Sequence, residues 1–305
     1  MKINNLKVVI TGASGFIGAP LAEKLANLGY DVMAISRTLP VKQQASSISW
    51  VEGDLSSPAT YREKISFFCP EVVIHLAWQD IPDFSIEKSI MNQNQAIEFL
   101  SFVTGIESCK KILVSGSCWE YDRVQGECLA NDIGAPKDHF TWAKHSIYSW
   151  LEMTCKQKVI SFGWLRIFYV YGPKQRPASL IPSILMHLKN KELPQIKTPK
   201  NASDYVFIDD VVDAFALATK YEFSSGIYNL GAGVSTSVLE VCRHAEQIAY
   251  NSSDLTQQLE EGTRSSVPTV NFWANIEKTK EYFGWEPKTS LLSGITKTWD
   301  SMNNL

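Results

Sequence analysis

The chain has 305 residues, 45% of them hydrophobic, which is enough to bury the core of one large α/β domain or of a main domain with a smaller appendage. The net charge of −3, with no basic block, argues against nucleic acid as the main partner, and no apolar run reaches the roughly 18 residues of a membrane span. The chain starts directly in a predicted strand and its six cysteines form no C-x-x-C pair, so we expect no signal peptide, no membrane partner, no metal site and a cytoplasmic location.

A glycine-rich turn between a predicted strand and a predicted helix is the first element that indicates a function. The strand covers residues 7–10, the turn reads TGASGFIG over 11–18, and the helical pattern runs over 16–28. Glycines let a backbone approach phosphate closely, and the free N–H groups at a helix start attract anions. The spacing G-x-x-G-x-x-G in this context predicts a dinucleotide diphosphate site rather than a surface turn. The predicted cofactor contacts here are Gly12, Ser14, Gly15, Phe16, Ile17 and Gly18.

The second predicted strand, residues 31–35, ends at Ser36 and Arg37, where a dinucleotide fold meets the adenosine ribose. An acidic residue at this position binds the ribose 2′-hydroxyl, whereas an arginine accommodates a 2′-phosphate. We therefore predict NADP(H) rather than NAD(H) as the cofactor. The alternative for Arg37 is a solvated loop charge.

The third and fourth predicted strands also end in candidate cofactor contacts. The third ends at Asp54, whose carboxylate either accepts a hydrogen bond from adenine or caps the following helix. The fourth, residues 71–77, is nearly all apolar, as in a parallel sheet covered on both faces, and its His75 is interpreted as a core histidine. The further predicted cofactor contacts are Leu55, Leu76, Ala77, Trp78, Asn92 and Tyr169.

Strands and helices alternate as far as residue 172, which predicts an α/β fold with a doubly wound parallel sheet. The later predicted elements are helices over 86–104 and 140–155 and strands over 111–117 and 158–168. After Pro173 the alternation breaks, with short strands near 203–208 and 227–230 and helices over 209–220, 238–250, 275–283 and 291–302. We predict a Rossmann cofactor domain over 1–172 with a return at 204–226, and an interleaved, smaller substrate domain over 173–203 and 227–305.

At this point the chain resembles the extended short-chain dehydrogenase/reductase family, in particular its NAD(P)-dependent nucleotide-sugar epimerases, dehydratases and reductases. The resemblance covers nearly the whole chain and is carried by TGASGFIG (11–18), EGDL (52–55), HLAW (75–78), VSGSCWEY (114–121), LRIFYVYGP (165–173), SDYVFIDDVV (203–212), YNLGAG (228–233) and FGWEPKTSL (283–291). It implies a nucleoside-diphosphate sugar as substrate. It also implies a homodimer through a four-helix bundle of the helices around 90–104 and 140–155. An apolar stripe on the second helix (Ile147, Trp150, Leu151, Thr154) is compatible with that bundle or with packing on the sheet.

One departure from the family concerns catalysis. The family's Y-x-x-x-K frame reads Phe140-Thr-Trp-Ala-Lys144 here, and the active-site serine maps to Ser117. The resemblance implies that Ser117 binds the substrate oxygen, that Lys144 binds the nicotinamide ribose, and that a tyrosine at 140 exchanges a proton. Because acid–base catalysis is worth roughly 10²–10⁴ in rate, the chain with Phe140 should be severely impaired.

Three explanations for Phe140 stay open. We interpret the chain as an engineered, substrate-trapping variant. In the second explanation, the change is natural and another group or a water donates the proton, for example Tyr121, His139 or Cys118. In the third, the chain is a binding module that has lost catalysis.

The substrate contacts predicted by the resemblance are Ser117, Cys118, Trp119, Tyr169, Arg176 and Arg264, with the arginines facing the diphosphate or lying free on the surface. Because Ser36 and Arg37 favour exchangeable NADPH, the predicted function is NADPH-dependent reduction of a 4-keto-6-deoxy sugar nucleotide at carbon 4. The alternatives are an NAD(P)-dependent nucleotide-sugar 4-epimerase and a catalytically silent NADP-binding protein.

Overall fold

The structure is a computed structural model, and it describes residues 6–40, 47–123, 125–261 and 270–303. Its strands are β1 (Lys7–Thr11), β2 (Asp31–Ser36), β3 (Ile48–Glu52), β4 (Val72–His75), β5 (Lys111–Ser117), β6 (Gln125–Cys128), β7 (Ser161–Ile167), β8 (Tyr169–Tyr171), β9 (Ala202–Ser203), β10 (Tyr205–Phe207), β11 (Gly226–Leu230), β12 (Thr236–Ser237) and β13 (Asn271–Ala274). Its helices are α1 (Gly18–Asn27), α2 (Arg62–Phe68), α3 (Ile86–Val103), α4 (His139–Lys158), α5 (Leu180–Lys189), α6 (Ile208–Lys220), α7 (Val238–Tyr250), α8 (Asp254–Glu261), α9 (Glu277–Phe283) and α10 (Leu291–Asn303).

The predicted doubly wound parallel sheet is confirmed. Seven parallel strands lie in the order β11-β7-β5-β4-β1-β2-β3. The winding reverses between β1 and β4, so the crevice beyond the carboxyl ends of these two strands is the expected ligand site.

Alternating side chains of the central strand β1 build the two cores on either side of the sheet. Val8 and Ile10 are fully buried in the core that includes residues of α1, α5, α6 and α7, while Val9 is fully buried in the core formed with α2, α3 and α4. This alternation follows from the two-residue period of a strand. Helices therefore cover both faces of the sheet, as the apolar strands predict.

The predicted strand over 158–168 is wrong in its extent. α4 continues to Lys158 and ends where Val159 takes a left-handed conformation with φ 55°. The chain then leaves the large sheet at Phe168, because Tyr169 begins β8, which pairs with β10 in a separate two-stranded sheet. The sequence pattern could not show this break, since the apolar run continues through it.

The sequence analysis also missed several elements, among them α5 and β6. α5 contains Pro182 in its first turn, where a helix needs no backbone N–H donor, so the proline does not interrupt it. β6 pairs with β13 in a four-stranded sheet of order β12-β9-β13-β6. Each strand of that sheet has two to four residues, too few for a recognisable alternation.

Both the seven-stranded sheet and the four-stranded sheet contain strands from each of the two predicted domains. β11 lies at the predicted start of the substrate domain but pairs with β7 in the large sheet, and β6 lies within the predicted cofactor domain but pairs with β13. The division into two domains and the cytoplasmic location stay predictions. Among the described helices, none combines the length and the apolar character that a membrane crossing requires.

Candidate active site

The glycine turn after β1 packs directly against the loop after β4. Gly12 has φ +68°, and a Cβ at this position would lie only 2.9 Å from Ala77 N. A Cβ on Gly18 would collide with Gly12 O, so the start of α1 needs glycine for its contact with the turn. No side chain caps α1 at Ile17, which leaves backbone N–H groups available for an anion. These features are what the diphosphate of a dinucleotide requires.

A cleft of about 180 Å³ opens beside this turn, between the ends of β1, β2 and β4 and helix α3. The predicted cofactor residues that line it are Gly12, Ser14, Gly15, Ser36, Arg37, Leu55, Leu76, Ala77, Trp78 and Asn92. Phe16 lies in a neighbouring groove with Pro173 and Lys174. Asp54 Oδ1 instead accepts hydrogen bonds from Ser56 N (2.8 Å) and Ser56 Oγ (2.7 Å), which lower the pKa of Asp54. These bonds form a local turn and not the helix cap of the alternative, because the N-cap positions of the following helical segments are Ser57 and Tyr61.

A chain of hydrogen bonds connects the end of β2 to α3 across the cleft. Arg37 donates to Gln79 Oε1 (3.1 Å), and Gln79 N donates to Asn92 Oδ1 (2.7 Å). On the β1 side of the cleft, Ser36 Oγ at the end of β2 lies 2.6 Å from Ser14 Oγ in the glycine-rich turn. Asn92 therefore shapes the loop after β4 as well as lining the cleft. Gln79 and Gln95 also line the cleft, and the sequence analysis missed both.

Lys144 lies buried in the second turn of α4, next to the end of β5. Its Nζ donates to Ser115 O (2.9 Å) and lies 4.3 Å from the centre of the Trp78 ring. Burial lowers the pKa of Lys144 to about 8, and the charge of Glu120 opposes this shift. Lys144 is thus mainly an ammonium at pH 7 and loses its proton at a pH only slightly above neutral.

His75 behaves as the core histidine that the sequence predicts. Its Nδ1 lies 2.8 Å from Thr11 Oγ1, and its ring stacks on Phe99 at 5.4 Å between centroids. Burial, together with the charge of Lys144, lowers the pKa of His75 to about 3, so the ring is neutral at neutral pH.

Phe140 lies on the same face of α4 as Lys144, as their spacing predicts. Its ring is 7% exposed, 5.1 Å from the Trp78 ring and 4.6 Å from the Phe84 ring. Lys144 Nζ lies 5.9 Å from the centre of the Phe140 ring. The position of the family tyrosine is thus part of an aromatic cluster of Trp78, Phe84 and Phe140 in contact with Lys144.

The turn that follows β5 carries three of the predicted substrate contacts. Ser117 Oγ accepts a hydrogen bond from Trp119 N (3.2 Å), and Cys118 is buried, which raises the pKa of its thiol. Trp119 is 44% exposed, and Lys137 Nζ lies 4.8 Å from its ring centre. Because Ser117 Oγ accepts this bond, its own O–H remains free to donate to a substrate oxygen.

The other predicted substrate contacts are more dispersed. Tyr169 is half-buried, with its ring 5.9 Å from that of Tyr205. Arg176 is exposed and donates to Ser179 Oγ (3.2 Å), and Arg264 lies outside the described residues. The structure thus places Ser117, Cys118 and Trp119 at the end of β5, the strand whose Ser115 O binds Lys144 Nζ, and it places Arg176 at the surface.

Two of the proposed substitute proton donors are poorly suited to the role. Tyr121 is buried and its OH donates to Asn229 Oδ1 (2.7 Å), and burial raises its pKa to about 12. Burial likewise raises the pKa of Cys118. His139 is exposed at the first position of α4.

Sequence reasoning also missed Glu120 and Arg166, which form a buried ion pair with Nε 3.1 Å from Oε2 behind Ser117. A signal was available: Arg166 stands in the middle of an apolar strand, and a charged residue is almost never fully buried unless it is paired.

Residues 8–231 match the family model described as the NAD dependent epimerase/dehydratase family. A UDP-glucose 4-epimerase of Mycolicibacterium smegmatis is 25% identical over 98% of this chain and 99% of that protein. A CDP-abequose synthase of Salmonella muenchen is 22% identical over 96% of this chain and 97% of that protein.

A solved structure shares the fold over nearly the full length. It is a Tyr-to-Phe mutant of a UDP-glucuronic acid 4-epimerase from Bacillus cereus, in complex with UDP-4-deoxy-4-fluoro-glucuronic acid and NAD. The TM-score is 0.82 at 22% identity, with 98% of this chain and 99% of that chain covered.

Proposed function

Since the chain belongs to the NAD dependent epimerase/dehydratase family of extended short-chain dehydrogenase/reductases, we propose that it is an NAD(P)-dependent 4-epimerase of a nucleoside-diphosphate sugar. The observation that carries the proposal is the position of Lys144: its Nζ binds Ser115 O, two residues before Ser117 on β5, and lies 4.3 Å from the ring centre of Trp78, which lines a cleft with the features of a dinucleotide site. Similarity to a UDP-glucose 4-epimerase over nearly the whole chain supports epimerisation over the reduction predicted from the sequence.

Each part of the candidate site has a role in this proposal that its contacts allow. When bound, a nicotinamide dinucleotide would exchange hydride with carbon 4 of the sugar. The turn at Gly12 and the uncapped start of α1 would hold the diphosphate of the cofactor. Lys144 would hold the nicotinamide ribose, and the Ser117 hydroxyl would donate a hydrogen bond to the oxygen on carbon 4.

Proton exchange with the substrate is the step for which this site lacks the family's residue. Phe140 has no exchangeable proton, and its ring is in contact with the rings of Trp78 and Phe84. The Lys144 ammonium is a proton-bearing group near it, with Nζ 5.9 Å from the centre of the Phe140 ring. We therefore propose slow turnover, and the interpretation of the chain as a substrate-trapping variant remains a hypothesis.

A second candidate function is reduction of a 4-keto-6-deoxy sugar nucleotide with NADPH. It is favoured by the end of β2, where Arg37 lines the cleft and no carboxylate stands at Ser36, Arg37 or Thr38 to repel a 2′-phosphate. The similarity to a CDP-abequose synthase supports it too. In both candidates we propose that residues 173–203 and 227–305 hold the nucleoside diphosphate, with Arg176 and Arg264 on the phosphates.

The deciding experiment presents both classes of substrate to the chain and to its Phe140→Tyr variant. One set contains UDP-glucose, UDP-N-acetylglucosamine and UDP-glucuronic acid, with inversion at carbon 4 followed by NMR. The other contains 4-keto-6-deoxy sugars linked to dTDP, CDP and GDP, with NADPH oxidation followed by absorbance. Inversion supports the epimerase, and NADPH oxidation with one 4-keto sugar supports the reductase. If neither protein turns over any substrate but both bind dinucleotide, the enzymatic proposals fail and the binding alternative stands.

A further inference from the structure

A fully buried carboxylate lies directly behind the catalytic turn. The side chain of Glu120 has no exposed surface, and its two oxygens accept three hydrogen bonds. Oε1 accepts from Ser117 N (2.6 Å), and Oε2 accepts from Trp164 Nε1 (2.8 Å) and Arg166 Nε (3.1 Å). Such a carboxylate is costly to bury, and this one binds the backbone N–H of Ser117, the proposed catalytic serine.

The arginine partner of this carboxylate is anchored as well. Arg166 Nη1 donates to Asp132 O (2.9 Å), and the guanidinium carbon lies 4.3 Å from the centre of the Tyr121 ring. Space for the pair depends on Gly116, since a Cβ there would lie 2.9 Å from Glu120 Oε1. The pair therefore has a defined geometry set by four separate segments of the chain.

Glu120 and Lys144 are connected through the same segment of β5 and through Trp164. Lys144 Nζ donates to Ser115 O, two residues before the N–H that Glu120 accepts. The Trp164 ring lies between the two charges: Nε1 binds Glu120 Oε2, and the ring centre is 5.9 Å from Lys144 Nζ.

The charged and titratable groups that face Lys144 are few. Glu120 raises the pKa of Lys144 against the lowering effect of burial. From β4 Lys144 faces His75, whose ring is neutral at neutral pH because burial and Lys144 lower its pKa to about 3. On the same helix as Lys144, the His145 ring Nε2 lies 3.1 Å from the backbone oxygen of Glu120.

We propose that Glu120 is a positioning residue for the Ser117–Lys144 pair. One carboxylate oxygen fixes the backbone of Ser117, so that its hydroxyl faces the substrate oxygen. The negative charge, moderated by Arg166, keeps the buried Lys144 in its ammonium form. The link to turnover rests on the proposed function, whereas the link between Glu120 and Lys144 does not.

The proposal predicts titration shifts of opposite sign for the two halves of the ion pair. In Glu120→Gln the attracting charge is lost, so the pKa of Lys144 falls by about one unit. In Arg166→Met the carboxylate loses its neutralising partner, so the pKa of Lys144 rises. The measurement is an NMR pH titration of protein with ¹³C- and ¹⁵N-labelled lysine, with the Lys144 signal identified from Lys144→Arg.

Two further variants make the test decisive. Glu246→Gln is the matched control, because Glu246 is also buried and accepts hydrogen bonds from Leu255 N (2.9 Å) and Thr256 N (2.9 Å), but on α7. It should leave the Lys144 titration unchanged. If either half of the pair does not fold when altered, Trp164→Phe removes one donor from the Glu120 carboxylate and should raise the pKa of Lys144. Shifts of the same sign in Glu120→Gln and Arg166→Met, or no shift in the folded variants, overturn the proposal.

The pH profile of turnover is the second readout. In whichever assay detects turnover, Glu120→Gln should move the alkaline limb to lower pH and Arg166→Met should move it to higher pH. A merely structural role would change the rate without moving the limb. If no variant turns over any substrate, the proposed function fails, but the NMR titration still decides whether Glu120 controls Lys144.

Discussion

At the scale of single residues, Phe140 determines how much chemistry the site can perform. The structure gives its ring close aromatic neighbours, Trp78 and Phe84, and places it one helical turn from Lys144. A phenylalanine is therefore well accommodated at a position where the family carries the acid. In the proposed function, Ser117 and Lys144 bind and orient, and the group that would exchange the proton is the one replaced by Phe140.

Phe140→Tyr should restore that exchange. We expect the initial rate on the best substrate to rise by about 10²–10⁴, the usual contribution of a positioned acid or base. Steady-state assays of both proteins with the two substrate sets provide the measurement. Phe140→Leu is the control, since it removes the ring without adding an exchangeable proton and should not raise the rate. Equal rates for the Tyr and Phe forms would show that another group already supplies the proton.

Arg37 should control the choice between the two dinucleotides. It lines the cleft and donates to Gln79, and a hydrogen bond to a charged group contributes about 1.5–3 kcal/mol. Arg37→Ala should therefore weaken NADPH binding by about tenfold or more and change NADH binding by much less.

Calorimetric titration of both dinucleotides into each protein tests this prediction. Arg243→Ala is a suitable control, because Arg243 is a half-exposed arginine on α7 that pairs with Glu260. Equal losses for NADPH and NADH in Arg37→Ala would assign Arg37 to the loop surface instead.

The local sequence pattern was enough to predict some residues of the candidate site but not others. The four-residue spacing of Phe140 and Lys144 was enough to place them on one helix face, and the strand end was enough to place Ser117. Glu120 was not found, because its role depends on Trp164 and Arg166, which come from a strand beyond the next helix. The contact of Trp78 with Lys144 is likewise a tertiary contact without a local signal.

At the scale of elements, the motif FGWEPKTSL near the end of the chain is held against the start of α6 by hydrogen bonds to Asp210. The Asp210 carboxylate in the first turn of α6 accepts hydrogen bonds from Lys288 N (3.0 Å) and Thr289 N (3.1 Å). The backbone oxygen of Asp210 accepts a bond from Trp285 Nε1 (2.8 Å), and Trp285 is buried. Resemblance alone identified this motif, and the structure supplies its physical reason.

Removal of the Asp210 carboxylate should destabilise the fold. Asp210→Ala leaves two backbone N–H groups without their acceptor, and bonds to a charged group contribute about 1.5–3 kcal/mol each, so we expect a loss of about 3 kcal/mol. Urea unfolding followed by circular dichroism measures it. Asp209→Ala is the control in the same turn, where the side chain is exposed, and its effect should be within about 0.5 kcal/mol. Similar losses of stability in both variants would contradict a specific stabilising role of the Asp210 carboxylate.

The predicted bounds of helices were most accurate where the hydrophobic periodicity continued over many residues. The predicted helix over 238–250 coincides with α7, and the one over 86–104 differs from α3 by one residue. Short strands such as β9 and β12, with two residues each, hold their places through tertiary pairing and carry no period of their own.

At the scale of the whole molecule, the parallel sheet explains why residues far apart in sequence form one site. The carboxyl ends of β1, β2, β4 and β5 meet at one edge, and the start of α4 lies beside them. This arrangement could be predicted, because strand–helix alternation dictates it. The register of β6 with β13 could not, since nothing in two short segments specifies a partner so distant in the chain.

The predicted homodimer requires a different face of α4 from the apolar stripe seen in the sequence. Ile147 and Leu151 are buried within the core on their own side of the sheet, so that stripe is already covered in one chain. The opposite face of α4 carries Trp142 (41% exposed) and Met153 (59% exposed), and α3 exposes Ile90 (39%). A four-helix bundle would have to bury these side chains.

Met153→Lys should therefore dissociate the dimer. Placing an ammonium in an apolar interface, and losing the roughly 1.5–3 kcal/mol of a buried methionine in each subunit, should convert a dimer into a monomer at micromolar concentration. Size-exclusion chromatography with light scattering gives the mass directly. Phe67→Lys changes an apolar residue that is 92% exposed on α2 and should leave the dimer intact. A monomeric parent chain, or a Met153→Lys variant that keeps the dimer mass, would show that α3 and α4 do not form the predicted bundle.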